Sequence, residues 1–242
     1  MHRSSTVYKQ RHFYHLLKTP NLIALFISPD DYDITVTQKD TDIPTKIVKE
    51  NADIFANVLV SSFNGSIEKS NFPSILKNAS ITPVFKKGDS NSKDNYRPVS
   101  ILPNISKIFE RCIFRQLSNY MDQFLSKFQC GFRKGYSTQY CLLSMLEKWK
   151  SAVDNGKSFG ALLTDLSKAF DCLSHELLLA KLHAYGFSIP VLRLIHSYLT
   201  NRQQRTKISM LFSSWEEIVF GVLQGSFQDL CCSTFFCRLD GG

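Results

Sequence analysis

The chain has 242 residues, of which 43% are hydrophobic, and this allows one or two domains with a real core. Lys and Arg outnumber Asp and Glu by 29 to 21, and the net charge of +8 favours polyanionic partners. The longest early apolar run, residues 22–27, is too short to cross a bilayer, and no cleavage site of small residues follows it. The sequence therefore predicts neither a membrane protein nor a secreted one.

Cysteine usage and the distribution of charge further restrict the class of protein. The seven cysteines show no Cys-x-x-Cys pair and no Cys/His ligand spacing, so we expect reduced thiols in an intracellular protein, nuclear or cytoplasmic, and no zinc site. Residues 81–137 hold ten Lys or Arg against four Asp or Glu, a local net charge of +6. Such a segment attracts nucleic acid, although a merely solvated basic face has the same composition.

The first elements in chain order are a lead-in and a helix. Residues 1–40 mix basic, aromatic and turn residues without a sustained period, which predicts a poorly ordered lead-in. From residue 43 to residue 63 apolar residues recur at helical spacing, and Pro44 suits the first turn of that helix.

A hairpin comes next. Residues 80–85 predict a strand, which Pro83 confines to a sheet edge or to the start of a strand. A polar loop with Gly88 at its turn leads to a second strand over residues 97–102. The tip of this hairpin therefore carries lysines.

The rest of the chain mixes helices with short strands. A second basic turn, bounded by glycines, precedes a helix that Ser137 or Thr138 caps. The predicted elements are helices over residues 105–125, 138–153, 176–185 and 190–199, and paired strands over 203–209 and 215–220.

One carboxylate stands at a position suited to chemistry. Apolar Ala161, Leu162 and Leu163 predict the end of a buried strand, and Asp165 stands where that strand stops. A carboxylate at the end of a central strand suits a divalent cation, whereas a helix N-cap is the alternative role for the same residue.

Four blocks of sequence stand out along the chain. They are ITPVFKKGD (81–89) with NYRPVS (95–100), QCGFRKGYST (129–138), DLSKAFD (165–171) and GVLQGS (221–226). Taken in this order, they resemble the reverse transcriptase domain of non-LTR (LINE-like) retrotransposons. A further string, IPTKIVK at 43–49, is similar to the segment that such elements carry just upstream.

The resemblance implies a fold class and a division of the chain. The expected fold is α+β, helix-rich with short antiparallel strands, and it forms the fingers and an incomplete palm of a right-hand polymerase. Residues 41–226 would make up this partial domain, with the thumb absent.

The resemblance also implies the chemistry. The family is an RNA-directed DNA polymerase that adds deoxynucleotides to a DNA primer on an RNA template by two-metal phosphoryl transfer, with Mg²⁺ as its cofactor. Asp165 matches the first metal-binding aspartate. Phe170 matches the bulky residue that excludes a ribose 2′-hydroxyl, although a core phenylalanine also fits its type. Asp171 lies six residues from Asp165, about 20 Å if extended or about 9 Å if helical, which is too far to hold the same ion pair.

The hairpin residues match positions that contact the incoming nucleotide. Arg97 matches the fingers arginine at the triphosphate, and Lys86 or Lys87 matches the nearby lysine. Phosphate oxygens require such point charges and forked N–H donors. A solvated hairpin tip is the alternative for the lysines.

Two further pairs match nucleic-acid and nucleotide contacts. Arg133 and Lys134, in the glycine-bounded turn, are candidates for the template or primer backbone. Gln224 and Gly225 match the pair beside the nucleotide and the template strand, where a glycine lets the backbone approach closely.

The match to the family stops at Ser226. The Ala-Asp-Asp hairpin that supplies the remaining carboxylates does not follow, since only Asp229 and Asp240 occur after Gly225. One carboxylate cannot hold two dications, so we expect a copy truncated before that motif, inactive as an isolated chain, with residues 227–242 an aberrant tail. A non-catalytic nucleic-acid-binding remnant and a functionless pseudogene-like product are the alternatives.

Overall fold

The computed structural model of the protein describes residues 43–126, 128–133, 135–164 and 171–223, which form a helix-rich fold around a small mixed sheet. The helices are α1 (Thr45–Glu50), α2 (Ala52–Glu68), α3 (Asn104–Met121), α4 (Thr138–Asp154), α5 (His175–Ala184) and α6 (Ile189–Leu199). The strands are β1 (Ala79–Phe85), β2 (Tyr96–Ile101), β3 (Arg202–Ile208), β4 (Leu211–Phe212) and β5 (Glu216–Ile218).

The helices from α3 onward confirm the predicted ones, because their boundaries carry local signals. The Ser137 side chain caps α4 by accepting a hydrogen bond from the backbone N–H of Tyr140 at 3.3 Å. Pro190 stands in the first turn of α6. The predicted helix over residues 105–125 ends earlier, at Met121, and continues as a short 3₁₀ turn, Asp122–Phe124.

The single helix predicted for residues 43–63 is instead two helices that break at Asn51. This residue has φ −118° and ψ 31°, outside the helical region. Its side-chain amide donates to the carbonyl of Ile47 at 2.9 Å, and its own carbonyl accepts from Ile54 and Phe55 to start α2. An asparagine that bonds to nearby backbone in this way competes with helix continuation.

Helix α3 is the centre of the hydrophobic core. Phe109 is fully buried and stacks on Phe63 of α2 at 4.2 Å between ring centroids and on Phe72 at 5.1 Å. Tyr198 of α6 meets Phe72 edge-on at 5.0 Å. One face of α3 is apolar and buried, and its members include Ile108, Phe109, Cys112, Ile113 and Leu117.

The sheet has the order β2–β1–β3–β4, and β5 also pairs with β3. The expectation of antiparallel strands holds for β1–β2, β3–β4 and β3–β5, but β1 and β3 pair in parallel. A parallel pair needs a long crossover, and here the chain between β2 and β3 supplies α3 to α6. The sheet is therefore mixed, which corrects the purely antiparallel expectation.

Pro83 occupies the kind of position that its missing N–H allows. It lies opposite Pro98 in the antiparallel β1–β2 pair. On the other edge, β1 pairs with β3 only over Ala79, Ser80 and Ile81. The proline therefore stands where β1 has become an edge strand, as predicted.

The predicted buried strand before Asp165 is wrong. Residues 157–164 have no regular secondary structure, and Leu162 and Leu163 are 91% and 88% exposed. A strand needs a neighbour for its N–H and C=O groups, and none of the described strands pairs with this segment. Asp165 itself lies outside the described residues.

The lead-in of residues 1–40 and the tail of residues 227–242 also lie outside the described residues, so the division at residues 41 and 226 stays a prediction. Among the helices that the structure does describe, none combines the length and the apolar character needed to span a bilayer.

A buried charge cluster joins α3, α6 and β3. It consists of Lys77, Ser106, Glu110, Tyr198 and Arg202. The Ser106 hydroxyl lies 3.0 Å from both the Leu76 carbonyl and Glu110 Oε1. Arg202 donates to the Tyr198 carbonyl at 2.8 Å and stacks over its ring, while Lys77 donates to the Thr200 carbonyl at 3.1 Å. These contacts attach the start of β3 to the helical core.

Candidate nucleotide and nucleic-acid interface

The tip of the β1–β2 hairpin is an ordered loop held by its own polar groups. The backbone of Lys86 donates to the Asn95 carbonyl at 2.8 Å, and the Asn95 side-chain amide donates to the Asp89 carbonyl at 2.8 Å. Gly88 has φ +96°, and a Cβ there would lie 2.8 Å from the Asn95 amide. A side chain at Gly88 would therefore disturb the contact that shapes the loop.

Aromatic contacts close the base of the same loop. The rings of Phe85 and Tyr96 meet at 5.4 Å between centroids, and the Tyr96 hydroxyl donates to the Ser90 carbonyl at 2.9 Å. The loop is thus anchored to the last residue pair of the two strands.

The three basic residues predicted to contact a triphosphate all belong to this hairpin. Lys86 and Lys87 begin the tip, and Arg97 stands opposite Val84 near its base. All three are exposed, and none forms an ion pair with another residue in the described part of the chain. Their charges are therefore available to a polyanion.

Arg133 is held within the chain. Its Nε donates to Asp122 Oδ1 at 3.2 Å, its Nη1 donates to the Ser126 carbonyl at 3.3 Å, and its guanidinium lies 4.5 Å from the Tyr136 ring. The side chain is only 16% exposed. These contacts fasten the glycine-bounded turn to the end of α3. Lys134, the other residue predicted here, lies outside the described residues.

The structure brings the flanks of two motif blocks together. The backbone of Gly221 donates to the Leu173 carbonyl at 2.9 Å, and His175 Nε2 lies 2.7 Å from the Gly221 carbonyl. Leu173 follows the DLSKAFD block by two residues, and Gly221 opens the GVLQGS block. Leu223 continues into a small buried cluster with Ala79 and Leu102 at the ends of the hairpin strands.

Sequence reasoning missed this junction. Leu173 and His175 carry no motif signal, and only the glycine at residue 221, with φ +80°, indicates that the backbone turns sharply there. Besides Lys134, four predicted site residues lie outside the described residues: Asp165, Phe170, Gln224 and Gly225.

The metal prediction finds no ligand set among the described side chains. No group of three or more His, Cys, Asp or Glu residues in the ranges described above is placed to hold an ion. Asp171 is described and is exposed in a turn. The described residues therefore do not by themselves fit Mg²⁺.

Comparison with known proteins assigns the motif blocks to one family. The family model for "Reverse transcriptase (RNA-dependent DNA polymerase)" matches residues 84–228. The probable RNA-directed DNA polymerase from transposon BS of Drosophila melanogaster is 30% identical over 167 residues, which cover 68% of this chain and 18% of the relative. The RNA-directed DNA polymerase from mobile element jockey of the same organism is 32% identical over 167 residues, with the same coverage.

A more distant relative extends the matched region. Transposon TX1 uncharacterized 149 kDa protein of Xenopus laevis is 26% identical over 192 residues, covering 76% of this chain and 14% of that protein. The chain thus spans less than a fifth of the length of the relatives it matches.

Proposed function

The chain belongs to the reverse transcriptase family, and we propose that residues 41–226 are the fingers and an incomplete palm that hold primed RNA template and a deoxynucleotide. The observation that carries the proposal is the junction of Leu173 and His175 with Gly221. It supports a shared location for the DLSKAFD and GVLQGS blocks, which are more than forty residues apart in sequence.

Within this proposal, Asp165 is a ligand for Mg²⁺, and Phe170 excludes a ribose 2′-hydroxyl. Both assignments rest on family membership. In the family, the metal would activate the primer hydroxyl and neutralise the triphosphate. Because an Asp-Asp pair does not follow residue 225, we propose that this stretch of chain binds its substrates without extending a primer.

The hairpin would bind the triphosphate. Lys86, Lys87 and Arg97 supply exposed positive charge on a loop whose shape is set by Asn95. A guanidinium can grip phosphate oxygens with two parallel N–H donors, whereas the lysines act as point charges. A tip that is already ordered loses little conformational entropy on binding.

Gln224 and Gly225 would lie beside the nucleotide and the template strand, where Gly225 lets the backbone approach. This placement is supported by the backbone hydrogen bond that joins Gly221 to the segment after DLSKAFD. Arg133 and Lys134 would contact the template or primer backbone. The intrachain contacts of Arg133 favour a supporting role for its guanidinium, with part of its charge still presented at the surface.

The first experiment adds a fluorescent deoxynucleoside triphosphate to the chain with primed RNA template and measures nucleotide binding by fluorescence anisotropy over a series of salt concentrations. Replacing Lys86, Lys87 and Arg97 together by alanine is expected to weaken nucleotide binding by about tenfold or more and to flatten the slope of log K against log salt, because these cations would no longer contact the triphosphate.

The matched control replaces three other exposed lysines, Lys46, Lys150 and Lys157, and therefore removes the same charge from other surfaces. Its slope is expected to stay close to that of the parent chain. Equal effects of the two triple variants would mean that binding follows total charge and not the hairpin.

A second candidate function is a nucleic-acid-binding module without catalysis, which the exposed basic hairpin also favours. The two candidates differ in the response to a deoxynucleotide. If the chain is a polymerase fragment, the nucleotide complementary to the next template base should tighten the binding of the primed template. If the chain is only a binding module, that nucleotide should leave the affinity for the primed template unchanged.

A further inference from the structure

Two ribbons leave the sheet at the same end. β1 and β3 run parallel but are paired only over residues 79–81 and 204–206. The β1–β2 ribbon then continues to the lysine tip, and the β3–β4 ribbon continues to a tip at Ser209 and Met210. Because parallel strands point the same way, both tips lie at one end of the sheet.

One face of the sheet runs across both ribbons. Residues that are opposite each other in neighbouring strands share a face, and the face alternates along each strand. Arg97 is paired with Val84, four residue pairs along β1 from Ser80, and Ser80 is paired with Arg205. Lys207 follows on the same face of β3 and is paired with Phe212 of β4. Arg97 and Lys207 therefore share a face of the sheet.

The β3–β4 side of this face is an aromatic platform around a guanidinium. Arg205 Cζ lies 4.0 Å from the centroid of the Phe212 ring and 4.5 Å from that of Trp215, and Lys207 Nζ lies 5.3 Å from Phe212. Phe212 and Trp215 remain 44% and 40% exposed. We name Arg97, Arg205, Lys207, Phe212 and Trp215 the ribbon face.

Hydrogen bonds hold the segment that carries the two rings. The backbone of Ser213 donates to the Thr206 carbonyl at 3.0 Å, and the backbone of Thr206 donates to the Ser213 hydroxyl oxygen at 2.9 Å. The Ser213 hydroxyl in turn donates to the Ser214 carbonyl at 2.9 Å. The rings are thus positioned before any ligand arrives, which lowers the entropy cost of binding.

We propose that the ribbon face binds an unpaired stretch of a nucleic-acid strand, with bases stacked on Phe212 and Trp215 and phosphates beside Arg205 and Lys207. Aromatic rings interleaved with cations in this way bind single strands irrespective of sequence, because every base has a π-face. That the bound polymer is a nucleic acid rests on the proposed function. The four residues that would contact it lie outside every motif block.

Charge favours a nucleic acid over a protein as the occupant. The ribbon face carries three cations, and the acid on the same face is Glu217, which is paired with Gln203 at the far end of β3. Glu216 is paired with Gln204, so it belongs to the opposite face and accepts a hydrogen bond from Ser214. An acidic polymer complements the positive charge of this face better than a purely apolar partner does.

Tryptophan fluorescence tests the proposal in the full chain. The sequence has two tryptophans, so Trp149→Phe leaves Trp215 as the reporter. Twelve-residue oligo(dT) and oligo(rU) are both expected to quench it at low salt. A blunt duplex is expected to quench it far less, because its bases are already stacked. Phe212→Ala in this background is expected to weaken single-strand binding about five- to a hundredfold.

The matched control is Phe128→Ala. Phe128 is another exposed ring, with Lys148 Nζ 4.4 Å from its centroid, and it lies outside the sheet. The control variant is expected to bind like its parent. A melting curve for each variant separates lost binding from lost folding, and Phe212→Tyr, which keeps a ring, is expected to retain binding.

Three results would overturn the proposal in different ways. Strong single-strand binding that Phe212→Ala and Phe128→Ala leave equally intact would remove the ribbon face as the site, while the proposed function would stand. Failure of the parent chain to bind any single or primed strand at low salt would remove both. Equal quenching by duplex and single strand would exclude stacking and so contradict the ribbon face alone.

Discussion

Glu110 is a carboxyl group with no exposed surface, beside a buried arginine. Its Oε1 receives the Ser106 hydroxyl at 3.0 Å, and Arg202 is only 3% exposed in the same cluster. Burial raises the pKa of Glu110, and the positive charge of Arg202 opposes that rise without cancelling it. Burial also lowers the pKa of Lys77, and the positive charge of the same arginine lowers it further.

A raised pKa determines the sign of the pH dependence. The folded state holds the Glu110 proton more tightly than the unfolded state does, so this residue contributes stability at pH values below the ordinary pKa of glutamic acid. That contribution is lost as the pH rises through the higher folded-state pKa. Glu110→Gln keeps a neutral side chain of the same shape at every pH.

We therefore expect the free energy of unfolding of Glu110→Gln to increase relative to the parent as the pH rises from about 4 to 8. Urea unfolding at several pH values measures the difference between the two proteins. Glu147→Gln, at an exposed position on α4, serves as the control and is expected to show a constant difference. A difference that falls with pH would mean that the positive charge of Arg202 outweighs the effect of burial.

At the scale of elements, α3 organises the helical part of the molecule. Its apolar face contacts α2, the segment after it and α6, and the three stacked or edge-on ring contacts converge on Phe109 and Phe72. Leu102, at the start of the connection to α3, is instead buried with Ala79 and Leu223 in a second, smaller cluster beside the sheet.

Truncating Phe109 is expected to be severely destabilising. Phe109→Ala should lower the free energy of unfolding by about 3–5 kcal/mol, through lost burial and the cavity left between two rings. Chemical denaturation followed by far-UV circular dichroism measures it. Phe220→Ala removes an exposed ring and should change stability by less than about 0.5 kcal/mol. Similar losses in the two variants would contradict the central place of Phe109.

Local signals allowed much of the element order to be predicted. The helix that Ser137 caps, the helix that Pro190 opens and the hairpin that turns at Gly88 each carry their cause within a few residues. The parallel pairing of Ser80 with Arg205 joins strands more than a hundred residues apart, and no local pattern reports such a pairing. The strand predicted for residues 161–163 failed because a strand depends on a partner as well as on its own side chains.

For the candidate site, the sequence predicted the family but not the contacts between distant segments. The motif blocks identified the family, since four strings in the right order carry more information than any single residue. The contact of His175 with Gly221 and the stacking of Arg205 on two rings were not predictable, because both depend on how distant segments pack. The assignments of all the predicted site residues remain predictions, and Asp165, Phe170, Lys134, Gln224 and Gly225 also lie outside the described residues.

At the scale of the whole molecule, a basic chain has cations on two neighbouring ribbons of its sheet. The net charge of +8 favours any nucleic acid, while the proposed ribbon face favours an unpaired strand. The proposed function separates binding from catalysis, because the family's second pair of carboxylates does not follow Gly225 within these 242 residues.

Primer extension by the 242-residue chain tests most directly whether it binds substrates without polymerising. A labelled DNA primer on an RNA template is incubated with the chain, Mg²⁺ and all four deoxynucleotides, and retention of the template is measured in the same reaction. The expected result is a retained template and no extended primer. Extension by the parent chain that disappears in Asp165→Ala would contradict this expectation and would make Asp165 part of an active polymerase site.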